Sequence, residues 1–391
     1  MSGKSMFTQS VHAGDDHAAN FGALSVPIYP ASVFAFADAD EASAIHNEEK
    51  PGYYYGRLGN PTQTALEAAM CELENGEAAL ALASGMAAIS GVVLSLVKSG
   101  DHIVAPVSGY STTQNFFRHI ERFGIETTFI DATEAENYRS AIRPNTKLLW
   151  IETPSNPMVL VSDIAAVVAI AKENDLVTVA DNTFATPFNQ RPIEMDVDAV
   201  IHSATKYLGG HSDLSAGIVV GSSQIVDTVR HAANKFYGGN IAPQVAWLVM
   251  RGIKTLALRM ERHNSNAEAI ADALSRHPRV EAVYYPGLAS HQNHEIALRQ
   301  MFPGFGGMVG LDVGTVDAGK ALVNNVKLCT LATSLGGVET ILQHSASMTH
   351  AAIPSEERQK AGISDGLIRL SVGIEDVHEL IEDLTQALNQ L

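Results

Sequence analysis

From Pro61 to about Val220 the chain alternates short apolar, β-branched runs with helical stretches, and few folds accommodate that rhythm. Runs at Ala79–Ala83, His102–Ala105, Glu126–Ile130, Leu148–Glu152, Val177–Ala180, Val197–Ser203 and Ala216–Val220 read as strands. Strands apolar on both faces must be covered on both faces, so the alternation predicts an α/β fold with a mainly parallel central sheet. Helices are expected from Thr62 to Leu73 with Thr62 as cap, Met86–Val97, Thr113–Phe123 and Asp163–Asn174 with Asp163 as cap. In such sheets ligands bind beyond the carboxyl ends of the strands. The residues at those ends are therefore the candidate site.

Outside this region the pattern changes. Residues 1–60 show no long period, and Val26–Pro30 and Pro51–Arg57 read as an extended arm lying on a neighbouring subunit. Residues 61–250 form the sheet domain. A long helical stretch, Pro243 to His277, bridges into 251–391, where Val280–Tyr284, Gly307–Asp312, Ala318–Val323 and a helix over Val377–Leu391 predict a smaller α+β layer. The net charge of −17 argues against nucleic acid or an anionic membrane as partner. The two cysteines, Cys71 and Cys329, form no CxxC pair, which fits a reducing compartment rather than a disulfide or zinc framework. The opening MSGKSMFTQSVHAGDD has no apolar signal core. Ala78–Val97 is uncharged and long enough to span a bilayer, but it is broken at Ser84-Gly85, and a buried strand, turn and helix explain it better. A soluble protein is expected.

One strand end concentrates chemistry. VDAVIHSATKYLGGHSD (Val197–Asp213) runs from a buried strand into Ser203, Thr205 and Lys206 before Gly209-Gly210 stops regular structure. A lysine there is partly desolvated, which lowers its pKa and makes it a nucleophilic amine. Two hydroxyls beside it can donate to a phosphate, the combination that a pyridoxal-phosphate imine requires. Alone, the motif better suits a lysine snorkelling from a strand end; the other sites along the chain reverse that balance.

Asp181, at the exit of Leu176–Asn182, places an acid where it can protonate a pyridine nitrogen, or simply make a turn. Gly85 and Met86 open a helix whose N-terminus favours phosphate. Tyr110 follows the next strand, placed to stack on a flat ring, to relay a proton, or to pack. Arg369, within GLIRLSVG, is a cation in an apolar run; it suits a substrate carboxylate, or an internal pair with Glu375 or Asp376. The pairs His291/His294 and His344/His350 lack a companion ligand cluster, so no metal site is expected.

Together these residues resemble the Cys/Met-metabolism family of pyridoxal-phosphate enzymes, which includes cystathionine γ-synthase, cystathionine γ- and β-lyases, methionine γ-lyase and O-acylhomoserine sulfhydrylases. The blocks YYYGRLGNPT, ASGMAAI, ETPSNP, VADNTF, HSATKYLGGHSD, RGIKTLALRMERH, YYPGL, SLGGVET and LIRLSVGIED carry the resemblance over nearly the whole chain. It implies fold type I, the aspartate-aminotransferase-like architecture, and a homotetramer built as a dimer of dimers. It implies that Lys206 carries the cofactor, Asp181 pairs with its ring nitrogen, and Tyr110 stacks on the ring and shuttles protons. Gly85, Met86, Ser203 and Thr205 would hold the phosphate, with Tyr55 and Arg57 reaching over from a neighbouring subunit. Arg369, Ser334 and Asn156 would hold the amino-acid substrate.

Departures from particular members narrow the reaction. Cystathionine-handling relatives carry charged side chains where Tyr54, Asn115 and Thr333 align; here all three are uncharged, so a distal zwitterion lacks partners. Methionine γ-lyases carry Tyr-Gly-Cys-Thr where this chain has Tyr110-Ser111-Thr112-Thr113, and a Lys-Asp pair at Asn234-Lys235. The loop also differs from the Tyr-Gly-Gly-Thr of the synthases, and Ser334-Leu335-Gly336 lacks the tryptophan expected of bacterial cystathionine β-lyase. The expectation is a cytoplasmic γ-lyase for a γ-substituted amino acid such as methionine or homocysteine, with the guanidinooxy group of canavanine among the conceivable leaving groups. Replacement by a sulfhydrylase or cystathionine γ-synthase is the alternative, β-lyase activity a further one, and a silent relative is disfavoured by the intact site.

Overall fold

The β-branched runs become strands because helices bury them from both sides. The computed structural model describes residues 3–348, 351, 356, 358 and 362–391. Seven strands, β1 (Ala78–Leu82), β2 (His102–Pro106), β3 (Glu126–Ile130), β4 (Thr146–Glu152), β5 (Val177–Asp181), β6 (Ala199–Ser203) and β7 (Gly217–Gly221), form one sheet in the order β1-β7-β6-β5-β4-β2-β3. Neighbours from β6 to β3 run parallel, whereas β7 is antiparallel to both β6 and β1. The reason lies in the connections. Helices such as Gly85–Leu96 and Ile164–Glu173 return the chain for parallel pairing, but the segment between Ser203 and Gly217 contains no crossover helix. That segment carries Lys206.

Alternate residues of each strand enter opposite cores. Leu148 and Trp150 pack with Ile89, Val92 and Phe117 on one face. Leu149 and Ile151 pack with Ile164, Val167 and Tyr138 on the other. The helix Pro61–Glu74 covers β1 and β7 together with Pro243–Ile253. The second sheet contains β8 (Ala282–Tyr284), β9 (Met308–Asp312), β10 (Thr330–Leu331), β11 (Ile341–His344) and β12 (Leu367–Ser371), in the order β10-β11-β12-β9-β8. Its pairs are antiparallel except β10–β11, and Leu256–Leu274, Val316–Asn325 and Val377–Leu388 share its core.

Three expectations need correction. Thr62 is not the cap of its helix: Asn60 is, its side chain accepting from Thr62 N at 2.9 Å, while Pro61 takes the first helical position. Thr62 instead ties down the arm, donating to Pro27 O and accepting from Tyr29 N. The long stretch from Pro243 is two helices, Pro243–Ile253 and Leu256–Leu274, because Thr255 and Arg259 side chains occupy the Gly252 carbonyl. The arm is not wholly extended: Met6–His12 and Ala39–His46 are helical, the latter capped by Asp38.

Ala78–Val97 divides at Ser84 into β1 and a buried helix, and among the described residues no helix is long and apolar enough to cross a membrane. His294 Nδ1 bonds Pro286 O, and His344 uses both ring nitrogens on Ser347 and Asp365 O. His350 lies outside the described residues.

Candidate active site

The strand ends open on a cavity of about 390 Å³ lined by Gly85, Met86, Tyr110, Glu152, Asn156, Asp181, Ser203, Thr205, Lys206, Thr333, Ser334 and Arg369, among others. It is the place the alternation of strands and helices points to. Most of the predicted site residues meet here.

Lys206 is half-buried just past β6, and its Nζ donates to Ser334 Oγ at 2.7 Å. Burial, reinforced by the Arg369 charge, lowers its pKa to about 8. A substantial neutral fraction is therefore present near physiological pH, as a nucleophile or base requires. Asp181 closes β5, buried at 8% exposure; Oδ1 accepts from Thr183 N at 3.0 Å, so the turn reading holds, and the residue also lines the cavity. Burial raises its pKa, and it stands at the cavity wall ready for a cationic partner such as a protonated ring nitrogen.

The residues expected to hold a phosphate meet in one wall of the cavity. Ser84 caps the helix Gly85–Leu96 through Ala87 N, and Gly85 and Met86, whose N–H groups belong to the first turn, line the cavity. A Cβ at Gly85 would come within 2.8 Å of both Ser203 Cβ and Oγ, so only glycine allows the helix start and the β6 end to meet around one anion. Thr205 Oγ1 accepts from Ala216 N and lies in the same wall.

Arg369, on β12, is buried at 6% exposure. Nη1 donates to Asn156 Oδ1 at 2.8 Å and Nη2 to Ser334 O at 2.5 Å. The internal pairs open to it in the sequence are otherwise engaged: Glu375 accepts from Thr340 N and Oγ1, and Asp376 caps the last helix. Its Nε has no partner among the described residues, and burial lowers its pKa only to about 10. A buried cation with only neutral partners among the described residues has the chemistry to receive a carboxylate.

Four expected residues stand elsewhere. Tyr55, 40% exposed, and Arg57 lie outside the cavity of their own chain; Arg57 Nη1 donates to the carbonyls of Asn234 and Lys235 at 3.1 and 2.7 Å. Tyr54 stacks on Phe36 and His46, and Asn115 is exposed on the helix Ser111–Ile120. Thr333 does line the cavity. Glu152 was not singled out as a site residue from the sequence, although it ends β4 as Asp181 ends β5 and pairs with it in register. Also missed is the buried brace behind Asp181: Asn182 Nδ2 and His202 Nε2 both reach Glu74 Oε1, at 3.1 and 2.5 Å.

Comparison with known proteins decides the family. The model of the family described as Cys/Met metabolism PLP-dependent enzymes matches residues 7–389. The chain belongs to this family. It is therefore a pyridoxal-phosphate enzyme, and its curated relatives are lyases. It is 46% identical to an L-methionine gamma-lyase of Fusobacterium nucleatum subsp. nucleatum, over 98% of both chains. It is 46% identical to a cystathionine gamma-lyase of Bacillus subtilis over 98% of this chain and 99% of that one. The crystal structure of metB from Corynebacterium glutamicum superposes with a TM-score of 0.93 at 39% identity, covering 99% of this chain and 98% of the other. The Cys/Met-metabolism architecture, fold type I, thus holds over the whole chain.

Proposed function

We propose that the chain is a γ-lyase, cleaving the bond from Cγ to a heteroatom in an L-amino acid and releasing a 2-oxo acid and ammonia. The observation that carries this is the buried Arg369 fork in one cavity with the Lys206 amine, where among the described residues the other carboxylate or cationic side chains are Glu152 and Asp181. Arg369, with Asn156 and Ser334, takes the α-carboxylate. Asp181 takes the ring nitrogen. Glu152 is then the remaining charged side chain of the lining among the described residues, and its oxygens are spent on the Tyr110 and Asn156 N–H groups, so a neutral γ-substituent such as that of methionine or homocysteine fits, and canavanine tests how polar it can be.

Bound at Lys206, pyridoxal phosphate supplies the electron sink that acidifies the substrate's Cα and Cβ. The chain's own residues do the rest. Lys206, held by Ser334 Oγ, takes the Cα proton. Tyr110, anchored through its backbone N–H, supplies a proton to the departing γ-group. Gly85, Met86, Ser203 and Thr205 fix the phosphate end, so the ring is held at both ends while protons move beside it.

A panel of methionine, homocysteine, canavanine, cystathionine and O-acylhomoserines, each with and without sulfide or cysteine, tests the reading. Expected, without any added thiol, is 2-oxobutyrate and ammonia together with the protonated γ-group, a thiol from methionine or homocysteine and the free guanidinooxy fragment from canavanine, with one water consumed. Product formed only when thiol is supplied would favour replacement, the second reading.

The assembly we propose is a cytoplasmic homotetramer, a dimer of dimers, in which the arm of one subunit completes the phosphate seat of its neighbour. The free thiols of Cys71 and Cys329 and the outward placement of Tyr55 and Arg57 support it. Arg57→Ala is expected to weaken cofactor retention by about 1.5–3 kcal/mol, the range of one charge-assisted contact. Dialysis against a carbonyl scavenger measures it. Unchanged retention would remove Arg57 from the seat.

A further inference from the structure

Tyr110 and Arg369 come from different domains of the chain, yet one side chain reaches the backbone that sets both. Glu152, 7% exposed at the end of β4, accepts from Tyr110 N with both carboxylate oxygens at 2.9 Å, and Oε1 also accepts from Asn156 N at 3.1 Å. Asn156 in turn accepts from Arg369 through Oδ1. The fit is tight on the far side as well: a Cβ at Gly109 would lie 2.7 Å from Glu152 Oε2. Glycine before Tyr110 is therefore what lets the carboxyl group close on the tyrosine's amide.

We infer that Glu152 is a positioning residue for the reaction, a bracket that sets the Tyr110 ring and the Asn156–Arg369 clamp in one mutual geometry. Among the described residues its hydrogen bonds go to backbone N–H groups alone, so it serves geometry rather than proton transfer. Asp181 stands beside it in strand register, and burial together with that neighbouring acid raises the Glu152 pKa to about 8, while the Tyr110 and Asn156 N–H groups oppose the rise. The bracket is thus sensitive to its own protonation, since a carboxylic acid offers the two N–H groups fewer lone pairs.

The inference rests on the lyase reading for its kinetic arm only. Two variants test it in the intact enzyme. Glu152→Gln keeps the shape but sets an NH2 donor against the Tyr110 N–H; Gly109→Ala drives the carboxyl group away from the opposite side. Both are expected to speed hydrogen exchange at the Tyr110 amide about tenfold, as a bracing hydrogen bond is lost. Both should lower kcat/KM for an amino acid by about 10–100-fold, the penalty of a misplaced reacting group, with cofactor content unchanged. The corresponding amine without its α-carboxylate should lose less, because it never uses the clamp. Unchanged Tyr110 exchange in both variants overturns the inference, whatever happens to activity, and so does altered exchange with kcat/KM within twofold. If the wild-type enzyme eliminates nothing, the lyase reading fails, and the exchange arm with the visible dichroism of the bound cofactor still decides the bracket.

Discussion

Lys206→Ala is expected to abolish turnover, with activity falling to the detection limit, and to leave pyridoxal phosphate bound only through non-covalent contacts. The phosphate seat and Asp181 do not depend on the lysine, so cofactor should still bind but wash out faster. Borohydride should tag the wild-type peptide containing Lys206 and no peptide of the variant; a variant that is still tagged would put the amine elsewhere. The pH dependence follows from the site. Burial and the nearby Arg369 charge both penalise the ammonium, so the folded pKa is depressed to about 8 from the ordinary lysine value. The reactive neutral amine therefore accumulates as pH rises toward 8 and is nearly complete a unit or so above it. Covalent reloading of cofactor-stripped enzyme should rise about tenfold per pH unit below 8 and flatten above it. A rate that keeps climbing through pH 10 would describe a solvated lysine.

The sheet was legible because its signal is strong and local. An apolar β-branched run between helices admits one reading, and the strands from β1 to β6 lie within a few residues of expectation. The strand ends were legible for the same reason: Asp181, Lys206 and the Gly85 turn stand where apolar runs stop. The antiparallel β7 was not, because direction depends on what connects two strands, and Ala204–Ala216 carries no periodicity to say that it doubles back. The Asn60 cap was missed because Asn, Pro and Thr are adjacent and all favour helix starts; only the hydrogen bond tells them apart.

Glu152 is the more instructive omission. The reasoning that found Asp181, an acid where a buried strand runs out, applies unchanged to Leu148–Glu152. Its role depends on the Tyr110 N–H and, through the neighbouring Asn156, on the Arg369 guanidinium, both brought in by distant segments, and no window of sequence contains that convergence. Arg369 shows the reverse case. Its alternatives, carboxylate seat or internal ion pair, were open in the sequence; Glu375 and Asp376 spend their bonds elsewhere, which speaks against the pair and leaves the carboxylate seat as the proposal.

The same geometry sets the second large expectation. Arg369→Leu removes a buried planar donor pair, and charge-assisted hydrogen bonds to a carboxylate contribute about 1.5–3 kcal/mol each. Loss of about 3–4 kcal/mol corresponds to a fall in kcat/KM of two to three orders of magnitude, felt mainly as a raised KM. Arg369→Lys keeps the charge but not the fork, so its loss should be intermediate. An amine without an α-carboxylate provides the control: it should be a poor ligand of the wild type, and the Leu variant should bind it no worse. A second consequence is independent of the substrate. Arg369 is one of the two causes that lower the Lys206 pKa, so deleting its charge must let that pKa rise. The pH at which cofactor reloading flattens should therefore move upward in Arg369→Leu. If it stays at the wild-type pH while KM rises, the guanidinium and the amine do not share one electrostatic field, and the joint placement of Arg369 and Lys206 would have to be redrawn.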